Sequence, residues 1–332
     1  MYKPNTPKGN SGIILMYHRV ADVVNDPWSL SVSPKHFAEQ IQILKNKFFP
    51  IRLANICNEN YPYIPKSPWV AITFDDGYRD NYHVAKNILK EYNLPATFFL
   101  VSKYLDAKSH FWWDSLTEIF LTPGKLPSLS KLNLNLGIPI EHWEAAKIFT
   151  TEQYLENLSW QWENGDPTPR HQLFRTIYYI LRNQTETKRN KYIERLIKHL
   201  DIHSNNLVKY DLLSTKEAKL LAQDELFDVG SHSVTHNDLT SLTISNQKRE
   251  ILKSKKALEK KIGCNIQSFS YAYGSYNDES VPLVKSAGFI NACTALPGLV
   301  RNNANCFKLP RIGVRNCRGE QFFNIISEWL NK

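Results

Sequence analysis

The sequence predicts an α/β fold, a barrel of alternating parallel strands and helices that is interrupted by a mainly helical insertion. Three observations support this prediction. Apolar, β-prone runs alternate with helical patterns near both ends of the chain, a strand-like run recurs about every 25–40 residues, and residues 105–210 lack this alternation. Because the alternation resumes after residue 210, we predict one domain over residues 1–332 with an insertion, not two independent domains.

The first elements of the barrel follow in order from the N-terminus. "GIILMYHRV" is typical of a short buried strand, and "SPKHFAEQIQILKNKF" of a helix with Ser33 as N-cap and Pro34 at its first position. "WVAITFDD" predicts a second strand, "YRDNYHVAKNILKEYN" a second helix and "PATFFLV" a third strand. The short links between them favour a parallel sheet.

The insertion and the second half of the barrel come next. Helical patterns such as "FWWDSLTEIFL", "IEHWEAAKIFTTEQYLENLSWQWEN" and "RHQLFRTIYYILRN" surround "TPGKLPSLSKLNLNLGIPI", which we predict to be a loop or a small hairpin. The helix "STKEAKLLAQDE", the strand "FDVGSHSVTH" and the long helix "ISNQKREILKSKKALEKKIG" then restore the alternation. "IQSFSYAYG", "FINACTAL" and "KLPRIGV" are further strands, and "GEQFFNIISEWL" is the final helix.

The composition is that of a globular protein with a basic charge balance. Hydrophobic residues make up 42% and charged residues 22%, and 41 Lys and Arg against 32 Asp and Glu give a net charge of +9. The excess lies in helical stretches, so solvated helix faces are the simpler interpretation. An anionic partner, such as a membrane surface or a phosphorylated sugar carrier, is the alternative. No nucleic-acid-binding motif accompanies the charge, and we expect no nucleic-acid partner.

The cysteines and apolar runs bear on the compartment. The five cysteines are odd in number and irregularly spaced and form no C-x-x-C, which argues against a disulfide framework and a cysteine zinc site and fits a reducing compartment. "MYKPNTPKGNSG" lacks the apolar region of a signal peptide, and no apolar run approaches the ~18–20 residues of a membrane span. We therefore expect a cytoplasmic protein, with peripheral contact at the inner membrane as an alternative.

Two motifs together predict a metal site. Asp75 and Asp76 follow the apolar run "VAITF", and His232 and His236 are spaced i, i+4, a spacing that on a helical turn points both side chains the same way. The flanking Ser and Thr residues make a long helix unlikely here and suit a short turn at a strand end. Each motif alone is weak, because aspartates are common in turns and histidines on surfaces. Two imidazoles and one carboxylate, Asp76 or Asp75, form a His₂-carboxylate site for a divalent cation with open positions. The other carboxylate is then available as general base on water.

Several motifs in order resemble those of a known family. "TFDDG", "HSVTH", "FSYAYGSYN" and "LPRIGV", together with the opening "ILMYHRV", resemble the polysaccharide deacetylases, also called carbohydrate esterase family four or the NodB-homology family. The resemblance covers roughly residues 12–104 and 211–325. It implies a distorted (β/α)7-type barrel that removes N-acetyl groups from amino sugars with a divalent metal. The amino sugar would belong to a polysaccharide, an oligosaccharide, or a lipid-linked or nucleotide-sugar precursor. "FWWDSL" resembles a subgroup linked with surface-polysaccharide synthesis.

The resemblance also implies residue roles. Asp75 would be the general base. Asp76, His232 and His236 would ligate the divalent metal, usually zinc. The backbone N–H of Tyr273 would help to stabilise the oxyanion of the tetrahedral intermediate.

The chain departs from the family pattern at two positions. Ala272 stands where the family usually has proline, and alanine does not fix φ as proline does. Many members carry a catalytic-acid histidine late in the chain, but His236 is the last histidine here. His18, at the end of the first strand, is the natural substitute, and circularly permuted members of the family fit this assignment.

Three further residues are candidates for the site. Arg311 is predicted to pair with Asp75 and hold it ionised. Tyr17 and Asp114 are candidates to line the site.

Other functions remain open from the sequence alone. The same site would serve a deformylase of a lipid-linked formamido sugar or another amidohydrolase. A non-catalytic sugar-binding module of the same fold is a further alternative. A basic nucleic-acid-binding protein is the least favoured, and it would bind with strong salt dependence.

Overall fold

The structure is a computed structural model that describes residues 11–58, 68–107, 110–132, 136–199, 211–301 and 304–331. These residues form two compact units. The first unit comprises Met1–Asp22, Leu30–Ala107 and Leu212–Lys332, and the second comprises Val23–Ser29 and Lys108–Asp211. The predicted end of the insertion, at residue 210, lies outside the described residues. The sequence pattern did not indicate that Val23–Ser29 belongs with the second unit.

Short strands and one large sheet dominate the first unit. Its strands before the insertion are β1 (Gly12–Tyr17), β2 (Arg19–Val20), β3 (Ser31–Val32), β4 (Phe49–Pro50), β5 (Trp69–Phe74) and β6 (Ala96–Leu100). The second unit contains β7 (Gly124–Lys125) and β8 (Ile148–Phe149). The first unit continues with β9 (Phe227–Ser231), β10 (Ser268–Ser270), β11 (Asn291–Cys293) and β12 (Ile312–Gly313). The sheet has eight strands in the order β11-β10-β9-β6-β5-β1-β12, with β4 also paired to β5. All of these pairings are parallel.

The sheet curves into a half-barrel, as the predicted α/β fold requires. Every residue of β5 and β6 is buried, which is typical of parallel strands covered on both faces. Leu309 pairs with Cys293 of β11, while Ile312 and Gly313 pair with β1, so one short segment reaches both edges of the sheet. The carboxyl ends of the strands therefore meet around one rim.

Helices cover the sheet of the first unit. They are α1 (Pro34–Lys47), α2 (Lys86–Glu91), α9 (Thr215–Ala222), α10 (Ile244–Ile262), α11 (Ser280–Ser286) and α12 (Gly319–Leu330). Ser33 caps α1 as predicted, because its Oγ accepts the N–H of His36 at 3.2 Å. The 19-residue α10 ends at Gly263, whose φ of 85° needs the freedom of glycine.

The second unit is mainly helical. Its helices are α3 (Trp112–Phe120), α4 (Leu129–Leu132), α5 (Ile140–Ala145), α6 (Thr151–Glu156), α7 (Pro169–Arg182) and α8 (Glu186–His199). The stretch predicted as one helix after residue 140 is divided, because β8 separates α5 from α6 and pairs antiparallel with β7. Trp28 packs against Trp162, Phe174 and Tyr178, which explains why Val23–Ser29 belongs to this unit.

One disulfide corrects the interpretation of the cysteines. Cys57 and Cys306 are bonded, with Cα atoms 5.9 Å apart, whereas Cys264, Cys293 and Cys317 are free. The odd number and irregular spacing gave no sign of this pair. The cysteines therefore no longer support a reducing compartment, because disulfides persist mainly in oxidising ones.

Among the helices of the described ranges, none combines the length and the apolar character needed to cross a bilayer.

Candidate active site

Most of the predicted site residues lie at the carboxyl ends of the strands of the first unit. Asp75 and Asp76 follow β5 directly, and His232 follows β9. His18 lies between β1 and β2, and Arg311 immediately precedes β12. Residues far apart in sequence thus come together on one rim of the parallel sheet, where enzymes of this architecture place their reacting groups.

A tight turn after β5 separates the two adjacent carboxylates. The N–H of Asp75 donates to the carbonyl of Tyr17 at 3.0 Å, so β1 fixes where the turn begins. Asp76 has φ of 75° and Gly77 of 86°, both in the left-handed region. With this strained backbone at Asp76, the Asp75 carboxylate contacts Arg311, while the Asp76 carboxylate lies near His232 and His236.

Asp76, His232 and His236 form the candidate metal centre. One ligand atom from each of these buried residues lies within 4.8 Å of the others. Oδ1 of Asp76 is 3.5 Å from Nε2 of His232 and 3.3 Å from Nε2 of His236. One carboxylate and two imidazoles, all converging through these atoms, are donors that suit a divalent cation.

The orientation of His232 supports this assignment. Its Nδ1 lies 2.9 Å from the carbonyl oxygen of Ser270, which can only accept, so Nδ1 carries the proton and Nε2 is left for a ligand bond. Burial lowers the pKa of His232, and the nearby Asp75 only partly opposes this effect. The ring is therefore neutral at neutral pH, as metal ligation requires.

Arg311, which immediately precedes β12, forms a bidentate ion pair with Asp75. Its Nη1 and Nη2 donate to the two carboxylate oxygens of Asp75 at 2.7 and 2.6 Å. The guanidinium is fixed in turn by Thr73 Oγ1 at 3.1 Å, Ser270 Oγ at 2.8 Å and the carbonyl of Thr294 at 2.8 Å. The structure thus shows the pairing of Arg311 with Asp75 that the sequence predicted, in bidentate form.

The charge state of Asp75 follows from this arrangement. Burial alone would raise its pKa, but the charge of Arg311 and the hydrogen bonds from Arg311 outweigh it, and His232 acts in the same direction when its ring is protonated. The pKa of Asp75 is therefore below its usual range, and the carboxylate is ionised at neutral pH. Its Oδ2 is 3.7 Å from Nε2 of His232, so this charge lies beside the candidate metal centre.

His18 lies close enough to this centre for the charges around it to influence the pKa of the imidazole. Burial is the main cause that lowers its pKa to about 4; Asp75 opposes this shift, and Arg311 and His232 add to it. The backbone of His18 is held by Asn81, whose side-chain amide donates to the His18 carbonyl at 2.8 Å. At neutral pH the imidazole is neutral.

Tyr273 lies in the turn that follows β10. Its backbone has φ of 58° and ψ of 9°, and its ring contacts that of His236 edge-to-face, with centroids 4.6 Å apart. This contact places Tyr273 beside the candidate metal centre. Ala272 precedes it and is fully buried, so the missing proline ring leaves no exposed gap at this turn.

Two candidates for lining the site have different outcomes. The prediction for Tyr17 is wrong: its ring stacks on Phe74, and its hydroxyl donates to Gln40 at 3.1 Å in the core. Only its carbonyl contributes, by accepting the N–H of Asp75. Asp114 is buried on α3 in the second unit, and its place in a site stays a prediction.

Sequence reasoning missed two polar residues that support Asp75. Ser270 donates from Oγ to Oδ2 of Asp75 at 3.2 Å and accepts from Arg311, while its carbonyl orients His232. Thr73, two residues before Asp75, donates to the carbonyl of Leu15 and accepts from Arg311. A signal was present for Thr73, because it is a polar residue within the otherwise apolar strand β5, which is buried along its whole length.

The fold and site together define an α/β protein with an ionised carboxylate beside a candidate divalent-metal centre. The family model described as polysaccharide deacetylase matches residues 64–158 and 169–292, which is more than half of the chain. The chain belongs to the polysaccharide deacetylase family.

Individual relatives agree with this assignment. The chain is 23% identical to a Staphylococcus aureus protein named poly-beta-1,6-N-acetyl-D-glucosamine N-deacetylase, over 97% of the chain and 84% of that protein. A shorter match, at 32% identity, spans 32% of the chain and only 37% of the Bacillus subtilis protein YxkH, whose name refers to the same family. The structure of IcaB from Ammonifex degensii shares the fold, with a TM-score of 0.58, 14% identity and coverage of 98% of this chain and 99% of that one.

Proposed function

We propose that the protein hydrolyses N-acetyl groups of a polysaccharide built from β-1,6-linked N-acetylglucosamine. The observation that carries the proposal is the ionised Asp75, clamped by Arg311 and adjacent to Asp76, His232 and His236. The name of the Staphylococcus aureus relative, which aligns with nearly the whole chain, supports the choice of substrate.

Asp76, His232 and His236 would hold the cation, and their donor set favours zinc. A bound divalent cation would polarise the amide carbonyl and make a nearby water more acidic. The His232 ring is already neutral, and its Nε2 is turned toward Asp76, which suits binding of this cation.

Asp75 would act as general base. Its oxygens accept hydrogen bonds from Arg311 and Ser270, but a carboxylate offers about four acceptor sites, so a water proton can still be taken. The water oxygen then bonds to the amide carbon. The backbone N–H of Tyr273 would donate to the oxyanion that forms there.

His18 would return a proton to the leaving nitrogen when the C–N bond breaks, because an unprotonated amine leaves poorly. With a pKa of about 4, His18 is neutral at neutral pH and must gain this proton during the cycle. In the proposed cycle, the proton that Asp75 takes from water would pass on to His18, whose pKa the charge of Asp75 raises. In its protonated form, an imidazole of low pKa is a strong acid toward the amine.

Acetate release from β-1,6-linked N-acetylglucosamine oligomers tests the proposal. We expect the zinc-loaded protein to release acetate, chelation to abolish release and added zinc to restore it. Asp75→Asn should lower kcat at least about 10²-fold with metal content unchanged. Asp228→Asn is the matched control, because Asp228 also pairs with an arginine, Arg52 at 3.0 Å, but lies at the opposite end of β9.

Other outcomes would replace the proposal. Formate release from N-formylated sugars without acetate release would identify a deformylase. Oligomer binding without release of either acid would identify a sugar-binding module. Full activity of Asp75→Asn would show that the assigned base is wrong.

A further inference from the structure

The segment Ser231–His236, here called the histidine loop, has an unusual backbone. It carries both histidines of the candidate metal centre, and Ser233 and His236 have φ of 66° and 55°. Non-glycine residues in this region cost roughly 1–3 kcal/mol each and persist only where neighbouring groups fix them. Something in the fold must therefore hold the histidine loop in place.

Several contacts do so. The N–H groups of Ser102 and Lys103 donate to the carbonyls of Ser233 and Val234, both at 3.1 Å, and Ser233 Oγ accepts the N–H of His236 at 3.0 Å. Glu250 on α10 adds three more. Its Oε2 accepts the backbone N–H groups of Val234 and Thr235 at 3.0 and 2.9 Å, and its Oε1 accepts the hydroxyl of Thr235 at 3.0 Å. The residue is 4% exposed. One buried carboxylate thus binds the two residues that immediately precede His236, through charge-assisted hydrogen bonds.

The position of Glu250 on α10 supports this interpretation. The inward face of a helix packed on a sheet is normally apolar, yet here Gln247, Glu250 and Ser254 are all buried on it. Ser254 accepts a hydrogen bond from Ser231 at 2.7 Å, at the start of the histidine loop. Gln247, one turn before Glu250, is instead hydrogen-bonded to the carbonyl of Leu242 and the hydroxyl of Ser280.

We propose that Glu250 is a positioning residue that sets the place of His236 for metal binding by holding the backbone of the histidine loop. This inference rests on the proposed function, because it concerns the same metal centre. Without Glu250, two buried N–H groups lose their acceptor and the strained backbone can relax. The Nε2 atom of His236 would then move away from that of His232 and from Asp76.

Zinc dissociation constants of four variants test the proposal. Glu250→Ala removes all three bonds, and Glu250→Asp keeps the charge but withdraws the carboxylate by one methylene. We expect both variants to bind zinc about 10- to 100-fold more weakly than the unaltered protein. Glu250→Gln should stay close to the unaltered protein, because its Oε1 can accept both N–H groups and its Nε2 can donate to Thr235. Gln247→Ala is the matched control, a buried polar residue on the same face, and should leave zinc affinity unchanged.

A second measurement needs no metal. Amide hydrogen exchange of the apo protein should show faster exchange at Val234 and Thr235 in Glu250→Asp than in Glu250→Gln. If Glu250→Ala does not fold, the aspartate and glutamine variants still decide the matter. Unchanged zinc affinity in Glu250→Asp, or an equal loss in Gln247→Ala, would overturn the assignment while the proposed function stands. Failure of the unaltered protein to bind any divalent cation would overturn both.

Discussion

Replacing Arg311 with methionine would leave the Asp75 carboxylate buried without its cation. Arg311 is fully buried and Asp75 is 2% exposed, and two hydrogen bonds of 2.7 and 2.6 Å join them. Removing one partner of a buried pair costs about 3–5 kcal/mol, because the remaining charge stays in a medium of low polarity. We expect Arg311→Met to lower the free energy of unfolding by this amount, out of a typical total of about 5–15 kcal/mol.

The double variant separates the charge effect from lost packing. Adding Asp75→Asn to Arg311→Met removes the stranded charge, so the double variant should be more stable than Arg311→Met alone. The expected coupling is about 1.5–3 kcal/mol, near the upper end for residues in contact. Urea-induced unfolding in the presence of a chelator measures it without a contribution from bound metal.

Arg170→Met is the matched control for this cycle. Arg170 is also a buried arginine, but it donates to main-chain carbonyls, including that of Ala146 at 2.6 Å. The stability loss of Arg170→Met should therefore add to that of Asp75→Asn, with a coupling energy near zero. If the stability losses of Arg311→Met and Asp75→Asn also add in the double variant, with no coupling energy, the idea that Arg311 holds the charge of Asp75 is refuted.

Three further predictions concern other residues. His18→Gln should lower kcat about 10²- to 10⁴-fold at unchanged zinc affinity; a rate near that of the unaltered protein would remove His18 from the mechanism. Reduction with dithiothreitol should lower the free energy of unfolding by about 2–4 kcal/mol, and Cys57→Ser should make stability insensitive to the reagent; an equal response in both proteins would contradict a stabilising disulfide. Burial lowers the pKa of His171 in the second unit to about 4, against 6.5 for the free side chain. The neutral form is thus favoured by folding, and the contribution of His171 to the free energy of unfolding should be constant above pH 6.5 and fall by up to about 3 kcal/mol as pH drops toward 4. Urea unfolding across this range, with His171→Gln for comparison, should show a shallower decline in the variant; identical slopes would exclude His171 as the cause.

The half-barrel and the candidate metal centre could be predicted because their signals are local. The runs around β5 and β9 are apolar and end in Asp75–Asp76 and His232, and parallel strands bring such ends to one rim. The error at Tyr17 has a different origin. Tyr17 is the last residue of β1 and its ring packs on Phe74 in the core, whereas His18 lies beyond the end of that strand.

Other features depended on contacts that no local pattern encodes. Val23–Ser29 joins the second unit because Trp28 packs on Trp162 and Tyr178, far along the chain. Glu250 lies in a helix rich in charged residues, where its sequence context indicates a solvated face. Only the fold shows that this glutamate is buried against the histidine loop.

The disulfide between Cys57 and Cys306 would keep the protein in one covalent piece after proteolytic cleavage between these two residues. Residues 108–211, all in the second unit, interrupt the first unit, and the two cysteines lie on opposite sides of that interruption. A protease that cut anywhere within 108–211 would leave two polypeptides still covalently joined. They would migrate together in electrophoresis until a reductant was added. The stretch between the two halves of the sheet could thus be severed without releasing either half.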